Sequence, residues 1–199
     1  MKKKICVITG TRAEYGLLKY LLLEIKKSKK FDLQLLVTGS HLSKTFGNTY
    51  KEIIQDGFDI NEKINILQKD DNPSSISKSA AIALSKFAKS YKKLKPDFIL
   101  LLGDRYELIA AAISSLIFNI PIIHLHGGET TLGAFDEAIR HSITKMSHIH
   151  FVTHNKYKNR VIQLGENKNN IYNVGGYGVD SIKNTKILSK SKLEEQLNI

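Results

Sequence analysis

The chain has 199 residues, with 30 Lys or Arg against 19 Asp or Glu, a net charge of +11 and a single cysteine. That length suits one domain with an ordinary core, or one half of a larger enzyme. One thiol rules out an internal disulfide, no apolar run reaches the roughly 18 residues of a membrane helix, and MKKKICVITG is too short and strand-like for a signal peptide, so a cytoplasmic protein is expected. The positive charge does not make the chain a nucleic-acid binder. Its lysines scatter over helix faces and ends (Lys26, Lys27, Lys29, Lys30; Lys89, Lys92, Lys93, Lys95) without interleaved aromatics, which describes a solvated surface.

In chain order, Lys4 to Thr9 reads as a first strand, followed by a loop from Gly10 to Gly16 and a helix carrying Leu17, Leu18, Leu21, Leu22 and Ile25. The loop lacks the GxGxxG pattern of dinucleotide sites. Leu33 to Thr38 is a second strand, 42–56 is expected to be helical with Gly57 as its stop, and Ile60 to Leu67 alternates like a further strand. Asp70 to Ser75 forms a capping turn for a long helix, Ile76 to Leu94, closed by Pro96. Phe98 to Leu102 is apolar without alternation, as a strand buried on both faces must be. A buried helix over Leu108, Ile109, Ala112, Ile113, Leu116 and Ile117 follows it. His148 to Val152, a helix from about Lys156 to Leu164, the strand Ile171 to Val174 and the loop Gly175 to Gly178 complete another unit. Alternating strands and helices predict a doubly wound parallel α/β sheet with right-handed crossovers. Cys6, inside the first apolar run, is expected to be a buried inert thiol.

The chain is organised around PIIHLHGGETTLGAFDEAIRH, residues 121–141. Here a strand ends at Leu125, Gly127 and Gly128 permit a tight turn beside a ligand, and a helix from Asp136 to Ser147 sets Ala138, Ile139, Ser142, Ile143 and Met146 on one side. His124, His126, Glu129, Asp136, Glu137, Arg140 and His141 thus gather just past a parallel strand's carboxyl end, the usual place for a site in an open α/β sheet. His124 and His126, two apart on a strand, also resemble the HxH of metal hydrolases, although no third ligand with distinctive spacing accompanies them. Asp136/Arg140 and Glu137/His141 have the spacing of helical ion pairs. His148 and His150 fit a half-buried strand face. Of the four arginines, Arg12, Arg105 and Arg140 lie in or beside loops after strands and Arg160 lies elsewhere, which suits forked cations for phosphate or carboxylate. Asp104, after the most buried strand, is either paired, functional or a helix cap.

ITGTRAEYG, VTGSHL…GNTY, LLGDRYE, HLHGGET and FDEAIRHSITKMSH, in that order, closely resemble the hydrolysing UDP-N-acetylglucosamine 2-epimerases of bacterial sialic-acid synthesis and their relatives in legionaminic-acid synthesis, which act on a diacetamido-sugar nucleotide. The resemblance spans residues 3 to about 180. It implies a Rossmann-like domain, the N-terminal half of a two-domain GT-B enzyme over residues 1–184, with 185–199 a linker and the start of a second domain. It further implies elimination of UDP through a glycal and hydration to N-acetylmannosamine, a UDP-sugar partner, no cofactor or metal, no nucleic-acid or membrane partner, and a homo-oligomeric full-length enzyme. Carried over by motif, Asp104 and Asp136 are catalytic acids, Arg12 and Arg105 nucleotide contacts and His41 a sugar-site histidine, with Gly16 and Arg140 also on the substrate side. Many family members have glutamate where this chain has His126, so the acid–base role falls to His126 or to Glu129. The competing expectations are a nucleotide-binding or glycosyltransferase-like half without chemistry, and a metal-dependent hydrolase.

Overall fold

A computed structural model describes residues 1–185 and 188–199. Strands β1 (Lys3–Thr9), β2 (Phe31–Thr38), β3 (Glu62–Ile64), β4 (Phe98–Leu102), β5 (Ile122–Leu125), β6 (Ile149–Val152) and β7 (Ile171–Asn173) form one sheet. Its order is β3-β2-β1-β4-β5-β6-β7 and every neighbouring pair is parallel. The helices are α1 (Arg12–Lys27), α2 (Tyr50–Gln55), α3 (Pro73–Leu94), α4 (Tyr106–Ile117), α5 (Asp136–Met146), α6 (Asn155–Gln163), α7 (Tyr177–Asn184) and α8 (Lys190–Leu197). The expected Rossmann-like doubly wound sheet is therefore present, with its order reversing between β1 and β4. No helix among the described residues is long and apolar enough to cross a membrane.

Strand alternation divides the core. Cys6, Ile8, Leu36, Ile99 and Leu101 pack on one face against Phe87 and Tyr91 of α3, Leu108 and Ala111 of α4 and Ile143 of α5. Ile5, Val7, Leu35, Val37, Leu100 and Leu102 pack on the other against Leu18 and Leu22 of α1. Both faces are covered, so β4 needs no polar residue in its run. Burial raises the Cys6 thiol far above the ordinary range, consistent with an inert side chain.

Several local expectations are corrected. The loop from Gly10 to Gly16 is only two residues long before α1 begins, because Thr11 and Glu14 form a capping box: Glu14 N–H donates to Thr11 Oγ1 at 3.2 Å and Thr11 N–H to Glu14 Oε2 at 3.2 Å. Gly16 thus lies within a helix. In 42–56 only Tyr50–Gln55 is α-helical, since a turn with positive φ at Gly47 and Asn48 interrupts it. On α4 the buried side is Leu108, Ala110, Ala111, Ala112, Ser114 and Ser115, whereas Ile113, Leu116 and Ile117 are exposed. Small residues let α4 approach α3 closely, with Ser114 Oγ donating to Leu84 O at 3.1 Å. On α5, Ala138 and Ser142 are exposed and Arg140 and Thr144 turn inward beside Ile143. Gly175 to Gly178 is not all loop. Tyr177 begins α7, which packs on α1, where Ser181 Oγ donates to Gly16 O at 2.9 Å. Of the expected linker, residues 186–187 lie outside the described residues, and Lys190–Leu197 is helix.

Candidate active site

The carboxyl ends of β4, β5 and β6 bring together Asp104, His126, Glu129 and Thr153, and α5 delivers Arg140 among them. The Arg140 side chain, only 9% exposed, reaches inward and pairs with the Asp104 carboxylate. Its Nη2 also donates to Thr131 Oγ1 at 3.0 Å, and its Nη1 donates to His126 O at 3.1 Å and faces Glu129 Oε2 at 3.5 Å. The helical pair expected between Asp136 and Arg140 is therefore replaced by one across the fold, because an inward guanidinium satisfies two carboxylates that the surface cannot reach. Glu137 and His141 do face each other, at 3.6 Å.

Burial raises the Asp104 carboxyl, and the nearby charges of Asp136 and Glu129 add to this, so that the opposing Arg140 charge does not cancel the shift. For Glu129, burial would raise the pKa, but hydrogen bonding from His126 and Thr153 and the charge of Arg140 lower it on balance. Two carboxylates at one strand edge are thus driven apart, one towards its acid and one towards its anion.

His126 follows the end of β5 in the left-handed region, with φ of 63°, a conformation that non-glycine residues take at a cost. Its Nδ1 lies 3.3 Å from Glu129 Oε1, which also accepts Thr153 Oγ1 at 2.7 Å. Its ring stacks on Tyr177 with centroids 5.2 Å apart. The buried Nε2 has no hydrogen-bond partner among the described residues. An Nδ1–H held by a carboxylate leaves Nε2 as the nitrogen able to take a proton.

His124 does not share this disposition. It is fully buried, its Nε2 donates to Gly103 O at 2.8 Å, its Nδ1 lies 3.1 Å from Thr144 Oγ1, and burial pushes its pKa down to about 3. The HxH spacing therefore yields one structural histidine and one with a free nitrogen, which counts against a shared metal. The two glycines that follow make room for protein: a Cβ on Gly128, φ 78°, would stand 2.5 Å from Tyr157 O of α6, and one on Gly127 3.1 Å from His124 Nδ1. Arg160, set aside by the sequence, hydrogen-bonds Gly128 O and so belongs to the loop's support.

Of the remaining expected site residues, Arg12, Gly16 and His41 lie on the elements that follow β1 and β2. Arg12 is an exposed helix residue whose Nε pairs with Glu52 at 2.9 Å. Gly16 is exposed on α1. His41 is fully buried between Thr9 Oγ1 at 3.1 Å and Thr49 Oγ1 at 2.7 Å, and burial pushes its pKa down to about 4. Both of its ring nitrogens are thus occupied. Arg105 is 40% exposed on its side chain and pairs through Nε with Glu107 at 2.7 Å. Asp136 opens α5. The sequence reading missed Thr131, Thr153 and Tyr177, which carry no local signal, and Glu14, which the T-x-x-E spacing could have found.

Fold and site together define a Rossmann-like α/β domain with an acid–base cluster at the carboxyl edge of its sheet. The chain belongs to the UDP-N-acetylglucosamine 2-epimerase family, whose model matches residues 23–199. It is 48% identical over its whole length to the GDP/UDP-N,N'-diacetylbacillosamine 2-epimerase (hydrolyzing) of Campylobacter jejuni, covering 51% of that protein. It is 41% identical to the UDP-N,N'-diacetylbacillosamine 2-epimerase (hydrolyzing) of Legionella pneumophila, over 98% of this chain and 52% of that one. Among solved structures, UDP-GlcNAc 2-epimerase from Neisseria meningitidis bound to UDP-GlcNAc superposes with a TM-score of 0.80 at 20% identity, over 97% of this chain and 53% of that one. The chain thus spans about half the length of the relatives it matches.

Proposed function

We propose that this chain forms the N-terminal half, residues 1–184, of a hydrolysing 2-epimerase for a UDP-linked 2-acetamido sugar, with 185–199 leading towards the second half. The observation that carries this is the free, buried Nε2 of His126, backed through Nδ1 by Glu129 and set beside an Asp104 carboxyl raised towards its acid form. Removing a weakly acidic proton from C2 of the sugar needs a desolvated base with a nitrogen to spare, and the buried, unpartnered Nε2 of His126 has both properties. As the C2–H bond breaks, its electron pair forms the C1–C2 double bond and the C1–O bond to UDP breaks. A second acid group then delivers a proton to C2 on the other face while the oxygen of water adds at C1 and its surplus proton passes to a base, giving the free 2-epimer, N-acetylmannosamine when the substrate is UDP-N-acetylglucosamine.

Asp104 and Asp136 supply the acid–base groups for the delivered proton and the water. Arg105 and Arg12 carry the diphosphate through their terminal nitrogens, Arg12 being paired through Nε with Glu52, an exposed partner that holds it weakly. Arg140, enclosed by Asp104 and Glu129, holds those carboxylates in place. Glu129, kept anionic, orients His126 and is not itself the base. Self-association of the whole protein belongs to the same proposal, and the exposed Leu116 and Ile117 of α4, with Phe118 that caps it, support it.

A second substrate is favoured by the relatives: those at 48% and 41% identity from Campylobacter jejuni and Legionella pneumophila are named for diacetylbacillosamine nucleotides, against 41% for a polysialic acid biosynthesis protein of Escherichia coli and 32% for a UDP-N-acetylglucosamine 2-epimerase of Neisseria meningitidis. The test is to offer both sugar nucleotides to the protein expressed from its complete reading frame. Release of UDP with a free 2-epimer from either supports the proposal, and the faster one names the sugar. Release of neither product, or return of an epimer still bound to UDP, overturns hydrolytic epimerisation.

A further inference from the structure

At the point where the sheet order reverses, a second acidic feature has no task in the chemistry above. Glu107, in the first turn of α4, is fully buried; its Oε1 accepts Arg105 Nε at 2.7 Å, and its Oε2 has no partner among the described residues. It lies against the ends of β1 and β2, where a Cβ on Gly10 would stand 2.4 Å from Glu107 Oε1 and one on Gly39 2.9 Å from the same atom. The two glycines leave the space that this carboxylate fills. Glu14 arrives there from α1, its Oε2 accepting Gly10 N–H at 2.6 Å and its Oε1 unpartnered. Burial, with the neighbouring Glu107 charge, pushes the Glu14 carboxyl up to about 7.

Two acids at one buried spot are a poor way to fill a core, because a neutral side chain would occupy the same space without the desolvation penalty. Their arrangement acquires a purpose through Arg105. Glu107 engages that guanidinium at Nε, while its two terminal nitrogens make no hydrogen bond among the described residues and its side chain is 40% exposed. The terminal nitrogens are the pair that grips a phosphate with two parallel hydrogen bonds.

We propose that Glu107 is a positioning residue for anion binding: it clamps Arg105 by Nε so that the terminal fork points into the crevice between β1 and β4 to receive the diphosphate of a nucleoside diphosphate. This rests on the assignment of Arg105 as a diphosphate contact. A fixed fork binds more tightly than one that must be ordered by its ligand, because the side-chain entropy is already spent. The clamp works against simple electrostatics, since a carboxylate so near a diphosphate repels it.

That opposition makes the test decisive. UDP binding is measured by calorimetry on the protein from its complete reading frame, with Glu107→Gln, Arg105→Ala and the double variant forming a cycle. Arg105→Ala should weaken UDP by about tenfold or more, on the usual scale for hydrogen bonds to a charged group. Glu107→Gln, nearly isosteric, should weaken it several-fold when Arg105 is present and leave it within about twofold when Arg105 is absent. In turnover, Glu107→Gln should raise KM more than it lowers kcat. If Arg105→Ala fails to fold, Arg105→Lys replaces it, keeping a cation without Nε. Tighter UDP binding by Glu107→Gln in both backgrounds, or equal weakening in both, overturns the positioning role. Unchanged UDP binding by Arg105→Ala overturns the Arg105 assignment beneath it.

Discussion

Arg140, in the middle of α5, pairs with Asp104 at the end of β4 across 36 positions of sequence, and the two side chains are only 9% and 19% exposed. The same guanidinium faces Glu129 and holds the His126 carbonyl, so one cation ties together the ends of β4 and β5. Arg140→Ala leaves two largely buried carboxylates facing each other without a cation. The expected loss is about 3–5 kcal/mol of folding stability, with Arg140→Lys intermediate because it keeps charge but not the fork. Urea unfolding with an unchanged midpoint for Arg140→Ala would refute this account of the network.

His126 and Glu129 separate by their contacts. Glu129 is engaged by His126, Thr153 and Arg140, whereas His126 Nε2 is open. His126→Gln is therefore expected to lower kcat by roughly a hundredfold or more, and His126→Glu to retain some activity with the limb of the pH–rate profile moved acidward, as a carboxylate requires. Glu129→Gln should cost less, since it misaligns the base without removing it. Near-normal turnover by His126→Gln would exclude it as the base.

Glu14 gives a pH dependence of stability. Its folded pKa, about 7, lies above the ordinary carboxylate value, so between roughly pH 4.5 and 7 the folded protein holds a proton that the unfolded chain has released. Stability from this group is present at low pH and falls as pH rises through that window, by an amount on the order of 3 kcal/mol. His41, pushed down to about 4, acts in the opposite sense as pH rises from 4 to about 6.5, so the test is a difference. Glu14→Gln minus wild type should gain stability steadily from pH 4.5 to 7 in chemical unfolding. A flat difference would contradict a buried, protonated Glu14.

On the two-domain proposal, the 199-residue chain should fold yet turn over poorly beside a chain that carries both halves. A cleft formed by one half cannot close over its substrate or exclude water. Equal kcat/KM for the two forms would remove the two-domain proposal.

Residue order alone determined much of this protein. The unbroken apolar run Phe98–Leu102 required a parallel strand covered on both faces, and the alternation of strands with helices required the doubly wound sheet. The clustering of ionisable groups after β5 marked the candidate site, because strand ends and helix starts are local events. Tertiary structure alone decided which groups within that cluster are spent and which are free. His124 and His126 are alike in the sequence, yet one ring is filled by Gly103 and Thr144 and the other keeps Nε2 open, through partners that lie on other elements. Arg140 has an acidic residue four positions before it on the same helix but turns to Asp104, because the cost of leaving a buried carboxylate unpaired exceeds the gain from a surface pair. The face of α4 was equally undecided, for a helix apolar all round shows its buried side only when close packing selects the small residues.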